Sequence, residues 1–298
     1  MMSITERIRE VSVLPARFNT MLEQALRVVK QDDQRDELCV VACVVSSVTW
    51  RYWQAWRLPE DNRQEHEWVV FANVMKIAES EALSLSDKRV ATAFAFTHDS
   101  FFIPRIMEAW IITLEEKAAR VKQTDPQRAL ELGRQATQLR DEKEQQRAKH
   151  MESGARNAEF LLNQLKHPTR SVDLLFTPEE VSRCRHLVGK HDLWKTGEPH
   201  PPGSDRLAVV CLEGDALWPL HPLGVLADLE RPDEKRETSD FSDPAKWRKQ
   251  LQESLRSLLE YRANWNGMPD ENFIDEKSIF RTKEGHRLYS KWREFWNL

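Results

Sequence analysis

The adjacent residues His98 and Asp99, at the end of the apolar sequence AFAFTHD, carry the side chains best suited to chemistry in this chain. The apolar run predicts a buried helix. An imidazole nitrogen and a carboxylate oxygen at the end of such a helix can both reach one transition-metal ion. A buried histidine neutralised by a neighbouring carboxylate is the alternative explanation, and the chain contains a second such pair, His191 and Asp192.

The helix that precedes this pair decides whether Asp99 lies inside the protein. The sequence SDKRVATAFAF predicts a helix that starts near Ser86 and Asp87 and turns its apolar side inward. His98 and Asp99 would then lie in the interior. An ionised carboxylate inside a protein is costly unless it is paired or binds a metal. We therefore expect either a metal ion or a histidine partner beside Asp99.

The elements that position these side chains are predicted to be helices. Only 9 glycines occur in the 298 residues, whereas Leu, Ala, Glu, Arg and Gln are abundant. This composition favours an all-α protein. Further residues with metal-binding side chains lie on or near the predicted helices. In chain order, the candidates are His66, His98 with Asp99, His150, His191 and Asp215.

This order of candidates resembles the HD superfamily of metal-dependent phosphohydrolases. The phrases HMESGARNAEFLLNQL and DALWPLHPLGVLADLERP are also similar to that superfamily. The resemblance covers about residues 60–232 and implies an HD-domain helical bundle with helical extensions at both ends. It also implies a first divalent ion, held by the superfamily's His, His-Asp and Asp set, and a second site completed by His150 and His191. The first set corresponds here to His66, His98, Asp99 and Asp215.

The reaction implied by the resemblance is hydrolysis of a nucleotide or another small phosphoester by a metal-activated water. Mn, Fe, Mg, Co, Ni and Zn all suit nitrogen and oxygen ligands of this kind, so the metal and the number of ions, one or two, stay open. Lys195 and Arg206 flank a loop rich in proline and glycine, and Arg231 follows the last predicted ligand. We expect these three cations to contact the substrate phosphate.

One subfamily is disfavoured by the residues that follow the His-Asp pair. Residues 100–102 read Ser-Phe-Phe, whereas many HD phosphodiesterases that degrade cyclic dinucleotides carry a glycine and a lysine there. Two other functions stay open. Some HD-fold proteins are diiron oxygenases, and the same six ligands would suit a diiron centre. The fold can also serve without catalysis, as a nucleotide-sensing or assembly module.

Charge and hydropathy exclude several classes of partner. The 44 Lys and Arg against 48 Asp and Glu leave a formal net charge of -4, which gives no long-range attraction for nucleic acid or anionic lipid. The longest apolar run, residues 38–48, is too short to span a bilayer, and the N-terminus lacks the pattern of a signal peptide. The 4 cysteines lack zinc-type spacing and are expected to be buried thiols in a cytoplasmic protein.

The predicted organisation has three parts. Residues 1–59 are expected to form an N-terminal helical extension packed on the core, residues 60–232 the metal-binding domain, and residues 233–298 a C-terminal helical extension. A charged helical insertion is expected at about residues 105–149. The tryptophans at positions 50, 53 and 56 are spaced like one helix face, and we expect them to pack in the core or in a contact of a homo-oligomer.

Five local expectations concern the predicted domain. His150 is expected to begin a helix and His191 to end one, while residues 168–173 are expected to form a loop. Glu213 is expected to face away from the centre, two residues before Asp215, and Trp218 with His221 to line the pocket.

Overall fold

Helices form nearly all of the part of the chain that the structure describes. This computed structural model describes residues 16–55, 64–99, 103–192, 204–229 and 280–296, together with positions 245, 249 and 252. The all-α prediction is confirmed. In chain order, the helices are α1 Ala16–Leu26, α2 Asp32–Ala55, α3 Gln64–Ser80, α4 Leu85–Thr97, α5 Ile103–Val121, α6 Pro126–Leu162, α7 Pro178–Val188, α8 Arg206–Ala216, α9 Pro222–Leu229 and α10 Lys283–Phe295.

The core is built around α3 and α4. Helix α3 packs on α1, α4 and α8, and α4 packs on α2 and α7. Each residue of α4 from Val90 to Thr97 is buried, as expected of a helix that is apolar all round. The aromatic rings of Trp68 and Phe96 meet edge to face with 4.7 Å between centroids. The C-terminal end of α4, where His98 follows, therefore lies in the protein interior.

Helices α5 and α6 form an antiparallel hairpin. The buried residues Ile111 and Ala136 hold the two helices together. Helix α6 then continues without a break and packs on α7, so His150 lies inside a helix of 37 residues. The expectation that His150 begins a helix was therefore wrong. After Pro126 this segment has no proline and is rich in strong helix formers, so nothing local ends the helix before Leu162.

A short β-hairpin replaces the loop expected at residues 168–173. Strand β1, Lys166–His167, pairs antiparallel with β2, Arg170–Leu174. The backbone N–H of Leu175 donates to the carbonyl of Leu165 and closes the base of the hairpin. The two strands satisfy their own backbone groups, and with so few residues they leave the all-α class unchanged.

Helix α10 packs on α3, α8 and the 3₁₀ turn Trp218–Leu220. Its attachment to α8 is made by Glu213, whose carboxylate accepts hydrogen bonds from the backbone N–H groups of Arg281 and Thr282 and from the Thr282 hydroxyl. Burial raises the pKa of Glu213 to about 7, although these hydrogen bonds oppose the shift. Glu213 faces away from the centre, as expected, and its carboxylate is buried in the contact with Arg281 and Thr282.

Several predictions fall outside the described residues: the side chain of the tryptophan at position 53, the tryptophan at position 56, and most of residues 233–279 of the expected C-terminal extension. The tryptophan at position 50 is partly buried, and its ring meets that of Phe18 edge to face at 5.7 Å. All 4 cysteines are buried and outside any disulfide bond, as was expected of Cys39 and Cys43. Within the described ranges, no helix has the length and apolar character needed to cross a bilayer.

Candidate metal centre

The first helix pair of the centre is α3 with α8, which bring His66 and Asp215 together. Asn73 donates a side-chain hydrogen bond of 3.3 Å to the Gly214 carbonyl. A Cβ atom at position 214 would overlap the Val74 side chain and lie 3.2 Å from the Val74 nitrogen. The absence of a side chain at Gly214 therefore permits the close approach of α8 to α3.

His66, His98 and Asp215 form one group of converging ligand atoms. His66 Nε2 donates a hydrogen bond of 3.0 Å to Asp215 Oδ1. His98 Nε2 lies 3.3 Å from the same oxygen. Both imidazoles are buried. One carboxylate oxygen thus faces two imidazole nitrogens, which is an arrangement that suits a transition-metal ion.

The orientation of His98 is set by the end of α4. Its Nδ1 donates to the backbone carbonyls of Phe94 and Ala95, at 3.2 and 3.1 Å. Because Nδ1 carries the hydrogen, the lone pair of the neutral ring is on Nε2 and faces Asp215. His98 Nε2 is buried and makes no hydrogen bond in the described structure. Burial lowers the pKa of His98, but Asp215 and Asp99 together outweigh it and raise the pKa, so a metal ion at Nε2 would displace a proton there.

Asp99, His150 and His191 form a second group whose ligand atoms lie within 4.8 Å of one another. His191 Nε2 lies 3.5 Å from Asp99 Oδ1. His191 Nδ1 donates a 2.8 Å hydrogen bond to the Val188 carbonyl, just beyond the last turn of α7. Nε2 therefore faces the cluster, like that of His98, and is the nitrogen that would bind a metal ion once its proton is lost.

The two groups meet at Asp99 and His66. Asp99 Oδ2 lies 3.8 Å from His66 Nδ1, while Asp99 Oδ1 faces His191. The two oxygens of one carboxylate are thus turned toward different groups. The structure therefore brings together all six residues that the sequence singled out as candidate ligands, and their role as ligands stays a prediction.

Asp192 joins the second group and was missed as a candidate ligand. Its Oδ2 lies 3.4 Å from His150 Nε2 and 3.7 Å from His191 Nε2. The signal was present in the sequence, because His191 and Asp192 form the second His-Asp pair. In the sequence, this second pair only weakens the case that His98 and Asp99 bind a metal, because it shows that His-Asp pairs recur in the chain. The contact of Asp192 with His150 depends on the position of α6, and His150 is distant from Asp192 in the sequence.

The charges in the centre are paired. Burial raises the pKa of Asp215, but the hydrogen bonds and charges of His66 and His98 together outweigh it and hold the pKa well below the usual range. Burial lowers the pKa of His66, and Asp215 opposes that shift. Burial also lowers the pKa of His191, but Asp192, Asp99 and Asp215 together outweigh it and raise the pKa to about 9. An ion that binds these imidazoles must therefore displace protons.

Trp218 covers one side of the centre. Its indole stacks on the His66 ring at 5.0 Å between centroids, with 7° between the planes. Its distance from the His221 ring is 6.4 Å, with 12° between the planes. The expectation that Trp218 lies at the site agrees with this contact. The indole restricts rotation of His66 and shields that side of the ring from water.

The cations expected to bind phosphate have different positions. Arg206 begins α8 and forms an ion pair of 2.6 Å with Glu81, just beyond the last residue of α3. Nine residues of helix, about 13 Å, separate it from Asp215. The structure thus does not bring Arg206 to the cluster. Lys195, Arg231 and residues 100–102 lie outside the described residues.

No protein-family model, curated protein or solved structure matches the chain.

Proposed function

We propose that the protein is a metal-dependent phosphohydrolase of the HD type, which acts on a nucleotide or another small phosphoester. One observation carries the proposal. Asp99, a member of the second group, lies between the two groups and faces His66 of the first group with one oxygen and His191 of the second with the other. Paired metal sites that share a carboxylate suit phosphoester hydrolysis, because both the attacking and the leaving oxygen require charge stabilisation.

The donor set fits divalent transition ions. The first ion would be held by His66, His98, Asp99 and Asp215, and a second by Asp99, His150, His191 and Asp192. Such ions supply Lewis-acid polarisation of a phosphoryl group and lower the pKa of a water. Four imidazoles among the donors favour Mn, Fe, Co, Ni and Zn over Mg, which prefers oxygen ligands.

The chain itself contributes orientation. The backbone carbonyls that accept from His98 Nδ1 and His191 Nδ1 hold both rings in one tautomer, with Nε2 toward the centre. Partners of this kind raise the basicity of an imidazole ligand and fix its direction. Trp218 holds the His66 ring by stacking. The ends of α4 and α7 and the 3₁₀ turn would therefore hold these imidazole rings in position before a metal ion binds.

The test compares metal content and turnover in the same preparations. Protein loaded with Mn is expected to hydrolyse at least one compound of a phosphoester panel at equal rates with and without oxygen. Asp99→Ala is expected to lower that rate at least about 100-fold. Asp141→Ala is the matched control, because Asp141 is an exposed aspartate on α6, and its rate should equal that of the wild type.

Two outcomes would replace the proposal by one of its alternatives. Turnover that requires both iron and oxygen would identify a diiron oxygenase, for which the same nitrogen and oxygen donors are suitable. Stoichiometric metal binding without turnover of any panel compound would favour a non-catalytic sensing or assembly module.

A further inference from the structure

A separate cluster of polar side chains lies between α3, α10 and the 3₁₀ turn, and its members are hydrogen-bond donors. Lys76 of α3 is only partly exposed and makes no ion pair or hydrogen bond with any residue that the structure describes. Lys291 and Arg287 of α10 lie close enough to repel it, while Glu284 attracts it. Burial lowers the pKa of Lys76, and Lys291 lowers it further.

Glu284, the carboxylate that attracts Lys76, is already engaged. Both oxygens of Glu284 accept from the Arg287 guanidinium, at 2.7 and 2.6 Å. A bidentate pair of this kind is among the strongest ion pairs in proteins. Lys291 Nζ lies over the Trp292 ring, 5.1 Å from its centroid. Among the described residues, Lys76 and Lys291 are therefore two cations without a carboxylate of their own.

Two neutral donors complete the group. His221 Nδ1 accepts a 3.2 Å hydrogen bond from the Leu223 backbone N–H, so its hydrogen is on Nε2. Burial, followed by the charges of Lys76 and Lys291, lowers the pKa of His221 to about 4 and keeps the ring neutral. The Trp292 ring meets the His221 ring at 4.9 Å, and Trp292 Nε1 is buried without a hydrogen-bond partner in the described structure.

We propose that Lys76, Lys291, His221 and Trp292 bind the phosphate group of a small molecule at a site separate from the metal centre. Two cations and two neutral N–H donors match a phosphate dianion, which offers at least three acceptor oxygens. A cluster of donors without acceptors is costly in the free protein, and an anion removes that cost. The site adjoins the metal centre through Trp218, which stacks with both His221 and His66.

The test uses inorganic phosphate as the probe and metal-free protein in the presence of a chelator. Phosphate is expected to raise the unfolding midpoint of the wild type above that in chloride at equal ionic strength. Lys76→Met keeps the aliphatic stem and removes the charge. We expect it to weaken phosphate binding, measured by calorimetry, at least about tenfold. Lys122→Met, an exposed lysine of the α5–α6 hairpin, is the matched control and should bind like the wild type.

Further arms keep the test decisive. Without phosphate, Lys76→Met should unfold at the same temperature as the wild type or higher, because it removes a repelled and desolvated charge. If it does not fold, Lys291→Met takes its place with the same expectation for phosphate. Asp99→Ala should retain phosphate binding, which separates this site from the proposed catalytic centre. The proposal fails if phosphate gives no more stabilisation than chloride, or if Lys122→Met loses binding as strongly as Lys76→Met.

Discussion

Asp99 is the residue on which the two halves of the candidate centre depend. It follows the buried helix α4, and its two oxygens face His66 and His191. In the absence of an ion, these imidazoles are the partners that offset the burial of its charge. The carboxylate is thus held by groups that are themselves candidate ligands, so metal and protons compete for the same atoms.

Asp99→Ala is expected to abolish metal binding at both groups with little loss of fold. The variant lacks the two carboxylate oxygens that face His66 in one group and His191 in the other. Metal content per chain, measured after gel filtration, should fall at least about tenfold. The unfolding midpoint of the metal-free variant should stay within a few degrees of the metal-free wild type. Full metal occupancy in the variant would show that Asp99 is not a ligand.

Asp192 separates one metal from two. If the centre binds two ions, Asp192→Asn should lower the metal content from about two ions per chain toward one, as should His191→Ala. The first group contains neither residue, so its ion should remain. His186→Ala is the control, because His186 is exposed on α7 and should keep the wild-type content. Unchanged content in both test variants would assign these residues to structure.

The sequence predicted the residue types of the centre better than its geometry. His98 and Asp99 were identified because a polar pair ends an apolar run, which is a local signal. The distances of His150 and Asp215 from that pair depend on how α6 and α8 pack, and residue order cannot provide them. Asp192 was missed for the same reason, since its proximity to His150 is a tertiary contact.

At the scale of helices, one buried carboxylate, that of Glu213, links α8 to the segment that begins α10. Glu213→Ala should destabilise the protein by about 2 to 4 kcal/mol, because it leaves the donors of Arg281 and Thr282 buried and unpaired. Glu213→Gln keeps an acceptor of the same shape and should cost less than about 1 kcal/mol. Urea unfolding of both variants measures the difference, and equal costs would show that the hydrogen bonds contribute little.

A second prediction at the scale of helices concerns the contact between α3 and α8. Gly214→Ala places a Cβ atom against Val74, so we expect a loss of about 1 to 3 kcal/mol from overpacking. The same shift would move the adjacent Asp215 and weaken metal binding. Val74→Ala in the same chain should restore part of both losses, since it removes the overlapping methyl groups. A double variant no better than Gly214→Ala would contradict the packing argument.

Helix boundaries were predictable where a cap marks them. Thr177 accepts from the backbone N–H of Glu180, whose side chain accepts in return from Thr177, with Pro178 in the first turn. The sequence Thr-Pro-Glu-Glu encodes that start locally. No comparable signal separates the solvated part of α6 from the part that carries His150, because both consist of good helix formers.

At the scale of the whole molecule, metal removal should measure how much the centre contributes to stability. An ion that binds only the folded chain stabilises it by about 2.7 kcal/mol when present at about 100 times its dissociation constant. Chelator should therefore lower the unfolding midpoint of the metal-loaded wild type, and excess Mn should restore it. Asp99→Ala should unfold at the same temperature under both conditions. An identical response of the wild type and this variant would place the stabilising ion elsewhere.

Helix α6 runs without a break from the α5–α6 hairpin to the candidate centre. Its 37 residues extend about 55 Å, and His150 lies about 36 Å from the end at Pro126. A tilt of about 5° around the position of His150 displaces that far end by about 3 Å. The structure shows no break in this helix between the hairpin and His150. A displacement of the hairpin would therefore also move His150 relative to α7, on which this part of α6 packs.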